Sequence, residues 1–305
     1  MIPVRNSKLI SFLLCAAAAA AHADYDRAVA AVNRGDAATA FREFLAAAER
    51  GDERAFVQVA RAYTYGAGTK PDPRAAQNWA AKAAAKGSAD GQFLVYALAI
   101  SKPELNYVDP QGRIDTQRYG ALAARPISER EDEMAAYDML GKAAQQGHRE
   151  ASLRLAGFYA DNIGEGNRAR AVALLDKFPQ RRPVFDELRK QLAELDALGP
   201  TLIPVRLKDE VIPAAAKSAR AAAAEKDKSK SECNAAKLVR TQRMGPVNRP
   251  IWLPLAVPEL KTAYLMSGDW RERWTFDVCG TESVVHVMFV ADGGGSAKHT
   301  AEKER

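Results

Sequence analysis

The chain has 305 residues, of which 47% are hydrophobic but only 8% aromatic, and its formal net charge is +6. This length accommodates one large domain or two modest ones, and the alanine-rich, aromatic-poor composition favours closely packed helices over a bulky globular core. Acidic and basic residues are interspersed along the chain, which gives little support to a nucleic-acid-binding protein.

The first segment, residues 1–23, has the pattern of a secretory signal peptide. Arg5 and Lys8 make it positive, Leu9–Ala21 is apolar, and Ala21-His22-Ala23 fits the small-residue cleavage rule. The apolar run is too short for a permanent membrane span; a buried N-terminal helix is the alternative interpretation. We expect a mature start at Asp24 and a bacterial exported protein that is periplasmic or secreted, with no stable membrane span after cleavage.

Two cysteines remain once that segment is removed, Cys233 and Cys279. An even pair in an oxidising compartment predicts one disulfide bond. Two free buried thiols are the alternative. A bridge matters here because a segment of about sixty residues has a thin hydrophobic core of its own.

Residues 24–52 read as two helices, each closed by a glycine. Tyr25–Asn33 is the first, and Gly35 can take the left-handed closing conformation. Asp36 is an N-cap candidate for the second helix, which Gly51 closes. Its apolar residues recur at three- and four-residue spacing, on one helical face: Ala37, Ala40, Phe41, Phe44, Leu45 and Ala48.

The stretch Arg54–Gly87 reads as two short helices joined by a glycine-containing bend. Gly66 and Gly68 permit positive φ in that bend, and Asp72-Pro73 suits the start of a helix. The inner face of the second helix combines alanines with one large ring, Trp79. A unit of this size cannot bury its own apolar faces, so we expect copies to stack on it.

Copies of this unit recur along the chain. Gly51 and Gly87 are 36 residues apart, and Gly87 and Gly147 are 60 apart. The shift of 36 places Asp36, Ala40, Ala47 and Ala48 on Asp72, Ala76, Ala83 and Ala84, and the combined shift of 96 places Ala55, Val59, Ala60 and Tyr63 on Ala151, Leu155, Ala156 and Tyr159. The spacing predicts a repeat array with one insertion of 24 residues.

The Arg54–Gly87 unit resembles the Sel-one-like repeat, a relative of the tetratricopeptide repeat. The matching positions are Ala55, Tyr63, Gly66, Gly68, Asp72, Ala76, Trp79, Lys82, Ala83, Ala84 and Gly87, and the departures are Val59, Ala60, Thr69 and Ala75. The resemblance implies an α-solenoid of stacked antiparallel helix pairs over residues 24–198, with a scaffold role. Tyr63, Gly66, Gly68, Trp79, Ala83 and Gly87 would then serve the repeat structure.

The inserted residues fall within Ser101–Ser128, which carries Tyr107 and Tyr119. Insertions in a solenoid emerge on one face and are often functional. A tolerated surface loop is the alternative, because loop closure entropy grows slowly with length.

The chain changes character after the terminal amphipathic helix Pro183–Leu198. Residues 199–232 begin with a strand-like piece and become rich in alanine and lysine, which predicts an exposed helix or a flexible linker. Residues 233–292 have strand periodicity and predict a small antiparallel β module, in which Lys261–Met266 pairs with Trp270 onward across Ser267-Gly268-Asp269. Residues 293–305 are expected to be disordered.

The sequence contains no constellation typical of catalysis. No histidine has a partner at metal-ligand spacing, and the YGAGTK stretch lacks the spacing of a phosphate-binding loop. We therefore expect no catalytic, cofactor-binding or metal-binding residues, and no cofactor. The basic stretch Lys237, Arg240, Arg243 and Arg249 is either a solvated face or a contact for anionic envelope polymers, and Trp252, Trp270 and Trp274 are either core or a sugar platform.

These patterns predict an exported, non-enzymatic scaffold that binds protein or peptide partners through a helical-repeat surface. The candidate partner-binding residues are polar positions on first helices together with the insertion tyrosines: Gln58, Arg61, Arg154, Tyr107 and Tyr119. The alternative is a cell-envelope protein that binds or processes glycan through its C-terminal β module.

Overall fold

The computed structural model describes residues 22–101, 117, 120–121, 129–179 and 182–304. These residues are mostly helical, with consecutive helices packed in antiparallel pairs and a small antiparallel sheet after them, as the sequence predicts. The contacts divide the chain into two units. Unit 1 is Met1–Ala124 with Ala135–His148, and unit 2 is Arg125–Met134 with Arg149–Arg305. The expected array 24–198 therefore contributes to both units.

The helices with described bounds fall into two runs. The first run is α1 (residues 22–33), α2 (Ala37–Glu49), α3 (Glu53–Tyr65), α4 (Pro73–Ala85), α5 (Ala89–Ser101) and α6 (Glu131–Gln145). The second run is α7 (Arg149–Asp161), α8 (Asn167–Asp176), α9 (Pro183–Leu198) and α10 (Val205–Lys226).

Helix starts in unit 1 are fixed by aspartate caps, as expected. The Asp36 carboxylate accepts a hydrogen bond of 3.0 Å from the Thr39 N–H at the start of α2. Asp72 does the same for the Ala75 N–H at the start of α4, whose first residue is Pro73. Each cap satisfies a backbone donor that has no partner within the helix.

The core of unit 1 is built from small residues around a few aromatic rings. Ala55, Ala76 and Ala83 are buried, which lets neighbouring helices approach closely. Trp79 is partly buried and packs against both apolar clusters of this unit, with its ring 5.5 Å from that of Phe56. The Lys82 ammonium lies 3.7 Å from the centroid of the Trp79 ring, a cation–π contact.

Unit 2 differs from expectation in residues 199–232. Within this segment Val205–Lys226 forms α10, a helix of 22 residues, so a helix is present as expected, but one of its faces is buried. Val211, Ala215, Ala219 and Ala223 are completely buried where the helix packs on the sheet. The prediction of a solvated helix was wrong because alanine is only weakly apolar and so does not mark a buried face in the sequence. Its small side chain nevertheless allows the helix to pack closely on the strands. The prediction of a strand-like piece at the start of residues 199–232 was also wrong, because the helix already begins at Val205.

The sheet contains five strands, β1 (Lys237–Arg243), β2 (Asn248–Trp252), β3 (Leu265–Val278), β4 (Thr281–Ala291) and β5 (Ala297–Lys303). The order is β1-β3-β4-β5, with β2 also paired to β3, and all pairs are antiparallel.

Two expectations for the C-terminal region are wrong. Residues 261–266 do not pair with Trp270 onward, because Leu265–Val278 is one continuous strand. The expected disordered tail 293–305 contains β5, which pairs with β4 from Ala291↔Ala297 to Val285↔Lys303. Its polar sequence is compatible with pairing because β5 is an edge strand that places only alternate residues against the core.

The predicted disulfide is present and lies beside a tight turn at Gly280. Cys279 and Gly280 link β3 to β4 with φ of 48° and 83°, the positive values that a tight hairpin turn requires. Cys279 is bonded to Cys233, with their Cα atoms 6.2 Å apart. The bridge therefore ties the segment before β1 to the β3–β4 hairpin.

Candidate functional site

A concave, largely apolar surface of unit 1 lies around Tyr65, the last residue of α3. A hollow of about 280 Å³ on one side is lined by α1, α2 and α3, including Val32, Phe41 and Phe44. A second hollow of about 250 Å³ is lined by Tyr65, Pro73, Leu94 and Leu98. Tyr65 belongs to both walls, and we call the two hollows together the Tyr65 groove.

Apolar groups are exposed to solvent in this groove. Tyr65 is 75% exposed and Val32 is 54% exposed. Behind them, Phe41 packs edge-on against Tyr63 at 5.1 Å between ring centroids. Packed aromatic rings with exposed apolar groups beside them are typical of a surface that a partner covers.

The end of α3 explains why Tyr65 projects outward. Gly66 follows with φ of 72° and closes the helix, its N–H bonded to the Ala62 carbonyl. The left-handed conformation of Gly66 turns the chain away from the axis of α3. Tyr65 therefore lies at the end of α3 and is not packed between α3 and α4. Its two neighbours on the same face, Gln58 and Arg61, also line the first hollow.

The charge at the groove is compensated within unit 1. Arg61 donates from Nη2 to Asp90 Oδ1 at 2.6 Å. The same carboxylate oxygen lies 3.6 Å from His148 Nε2, and the His148 ring is stacked on Phe93 at 4.7 Å. The guanidinium is thus held in position at the rim, and the groove presents apolar walls with an amide and one paired cation.

The other candidate residues lie elsewhere. Arg154 is exposed on α7 in unit 2, where Nε donates to Glu150 Oε1 at 3.1 Å. Tyr107 and Tyr119 lie outside the described residues, as do most of the insertion Ser101–Ser128 and residues 1–21. The structure therefore brings Gln58 and Arg61 together in one groove.

Sequence reasoning missed Tyr65 and Val32. The available signal was helical spacing, since Gln58, Arg61 and Tyr65 follow each other by three and four residues on α3. From the sequence, Tyr65 was considered only as the first residue of the YGAGTK stretch.

The β module offers little exposed aromatic surface at its tryptophans. Trp270 and Trp274 are completely buried, and Trp252 is partly buried and packed against the same core cluster. These positions fit core packing better than a sugar platform. In the basic stretch, Arg243 is paired with Glu165 at 3.0 and 3.1 Å, and the other three side chains, Lys237, Arg240 and Arg249, are exposed.

Among the described residues, no helix combines the length and the apolar character needed to cross a membrane. The same residues contain no group of three or more His, Cys, Asp or Glu side chains arranged to hold a metal ion.

Comparison with solved structures finds partial similarities. No family model and no curated protein matches the chain. A crystal structure of a Sel1 repeat protein from Oxalobacter formigenes is similar at 23% sequence identity with a TM-score of 0.32. The matched region covers 46% of this chain and 47% of that protein, so the chain spans about half the length of the structure it matches.

Proposed function

We propose that the chain is an exported, non-enzymatic scaffold that binds a partner protein or peptide through the Tyr65 groove. The observation that carries this proposal is the exposed Tyr65 side chain between two apolar hollows. Desolvated aromatic anchors dominate the energetics of protein interfaces, and a helical-repeat surface is a common support for them.

The chemistry of the groove indicates what the partner contributes. The walls are mostly apolar, and the rim cation Arg61 is already paired with Asp90. A segment that places one apolar side chain on each side of Tyr65 would bury the exposed rings and aliphatic groups. The half-buried Gln58 amide supplies hydrogen bonds to the backbone of such a segment.

Export is supported by the disulfide Cys233–Cys279, because such bonds persist in oxidising compartments. The signal-peptide pattern of residues 1–23 points the same way. Periplasmic or secreted location is therefore part of the proposal.

Site-specific cross-linking tests the proposed interface. A photo-reactive phenylalanine at Tyr65 is expected to capture a defined partner in intact cells. The same group at Val184, which is 64% exposed on α9, is the matched control and is expected not to capture it. Equal capture at both positions, or none at Tyr65, would count against the groove as an interface.

A purified partner then allows a quantitative test. Tyr65→Ala removes a ring from both hollows and is expected to weaken binding at least tenfold, roughly 1.4 kcal/mol. Val184→Ala is expected to leave the affinity unchanged. The melting temperature of both variants is expected to stay near that of the parent chain, because both side chains are exposed.

The alternative of glycan binding by the β module has less support. Its proposed platform residues Trp270 and Trp274 lie inside the core. Contact of Lys237, Arg240 and Arg249 with cell-wall polymers stays a prediction, tested by co-sedimentation of the purified chain with peptidoglycan.

A further inference from the structure

A polar pocket of about 230 Å³ lies within unit 2 and is not used by the proposed function. Its walls come from the α7–α8 turn, from residues 200–204 and from β1. Its polar lining residues include Asn167, Arg168, Asp196, Glu165 and Arg243. We call it the Asn167 pocket.

Asn167 is a deeply buried polar residue of this wall, with an exposed fraction of 4%. Its Nδ2 donates to the carbonyl oxygens of Asn162 and Ala263, both at 2.8 Å. These two carbonyl acceptors fix the orientation of the side-chain amide, so Oδ1 points away from them. Within the described chain, that buried oxygen has no hydrogen-bond donor.

Two arginines of the same wall have unused donors. Arg168 Nε lies 3.1 Å from Asp196 Oδ1 in an ion pair, and Nη2 donates to the Gly199 carbonyl at 3.3 Å. Its Nη1 is buried and has no acceptor in the part of the chain that the structure describes. Arg243 uses both terminal nitrogens on Glu165, and its buried Nε has no acceptor among the same residues. Unpaired buried polar groups are costly and rare in native proteins.

The charge balance of the pocket argues against an anion. Each guanidinium already faces a carboxylate, Arg168 with Asp196 and Arg243 with Glu165. A phosphate or carboxylate ligand would lie beside both acids and be repelled by them. Asn167 Oδ1 lacks a hydrogen-bond donor, and Arg168 Nη1 and Arg243 Nε lack acceptors, among the described residues.

A secondary amide meets these needs without net charge. Its carbonyl oxygen accepts from a guanidinium N–H, and its N–H donates to an amide oxygen. We propose that the Asn167 pocket binds an uncharged secondary amide, of the kind found in an acylated amino acid or an N-acetylated sugar. The unpaired atoms are covered in this structure, so binding includes a local shift of the Arg168 side chain, which is 18% exposed.

NMR titration of the full chain tests this proposal. The probes are N-acetyl-alanine N′-methylamide and N-acetylglucosamine, and the controls are glucose, acetate and inorganic phosphate. At least one amide probe is expected to shift the side-chain amide signal of Asn167 and the backbone signals of residues 162–168, while the controls leave them in place. The relative affinities of the two probes identify the peptide or sugar source.

Two results would overturn the proposal. One is the absence of a shift with either amide probe at millimolar concentration, which would assign the unpaired atoms to ordered water. The other is an equal response to acetate or phosphate, which would assign the pocket to anions.

A pair of matched variants tests whether binding of the amide probe depends on the guanidinium of Arg168. Arg168→Lys keeps the charge that faces Asp196 but removes the planar donor set, and is expected to weaken the amide probe at least tenfold. Arg189→Lys alters a pair of similar geometry outside the pocket, Arg189 Nε to Asp176 Oδ1 at 3.0 Å, and is expected to leave binding unchanged. Unchanged binding in a folded Arg168→Lys variant would contradict the site, and if that variant fails to fold, the titration of the parent chain decides.

Discussion

The buried carboxylate of Glu272 accepts a hydrogen bond of 2.9 Å from the indole N–H of Trp274, two residues along the same strand. The other carboxylate oxygen accepts from the Trp270 indole at 3.0 Å and from the Leu202 N–H at 2.9 Å. Residues at i and i+2 share one face of a strand. Glu272 therefore joins two core tryptophans of β3 to the segment that leads into α10.

Replacement of Glu272 by Gln tests this junction. The side-chain NH2 of glutamine cannot accept a hydrogen bond, so at least one N–H donor would lose its acceptor in the core. We expect the free energy of unfolding to fall by about 1–3 kcal/mol, measured by urea denaturation. Glu282→Gln, at a side chain that is 64% exposed on β4, is expected to change it by about 0.5 kcal/mol or less. Equal midpoints for both variants would contradict the role of Glu272.

Gly68 and Gly87 form a second matched pair. Both have positive φ, 76° and 82°, so alanine introduces similar backbone strain at each. A Cβ at Gly68 would also overlap the Ala37 carbonyl, whereas a Cβ at Gly87 meets no atom within 4 Å. We expect Gly68→Ala to be the more destabilising by at least about 1 kcal/mol, measured by thermal unfolding. A smaller loss at Gly68 than at Gly87 would show that the loop moves freely away from α2.

The disulfide Cys233–Cys279 is expected to contribute strongly to the stability of unit 2. The bridge spans a sequence separation of 46 residues, for which the chain-entropy model gives about 4 kcal/mol. The double variant Cys233→Ser, Cys279→Ser is expected to lose that stability, and reductant should have no further effect on it. If reductant leaves the unfolding midpoint of the parent chain unchanged, the bridge contributes little.

Alkaline pH is expected to destabilise unit 2 through Tyr159. Burial raises the pKa of Tyr159 to about 12, above the ordinary value near 10. The unfolded chain therefore loses this proton first, and the associated stability is fully present below about pH 10 and falls as pH rises towards 12. Urea midpoints between about pH 9 and 11 should fall less steeply in Tyr159→Phe than in the parent chain. Parallel slopes would refute the assignment to Tyr159.

Local features of the helical region follow from the sequence because they depend on neighbouring residues. Asp36 and Asp72 cap helices, and Gly66 closes one, through contacts within a few residues. Gln58 and Arg61 were selected only as polar positions on first helices, and both line the first hollow of the Tyr65 groove. The exposure of Tyr65 depends on how three helices meet, which a pattern within one helix does not contain.

The β module was harder to predict from sequence because its strand pairing depends on contacts between residues that are distant in the chain. Ser267-Gly268-Asp269 resembles a turn, yet Gly268 lies inside β3 with φ of 135°. A Cβ there would lie 2.8 Å from Val247 Cγ1 and 3.0 Å from the Asn248 carbonyl. The glycine therefore allows close approach of β2, beside an irregular register between Asn248 and Ile251. Asn167 was missed for a similar reason, since no sequence spacing links it to Arg243.

The position of β5 in the sheet affects when the protein can fold during synthesis. Its partner β4 and the helix α10 precede it, and α10 packs against both strands. A nascent chain cannot complete this layer until residue 303 has left the ribosome, whereas α2 to α5 can pair much earlier. Unit 2 therefore cannot complete its core until β5 has been synthesised.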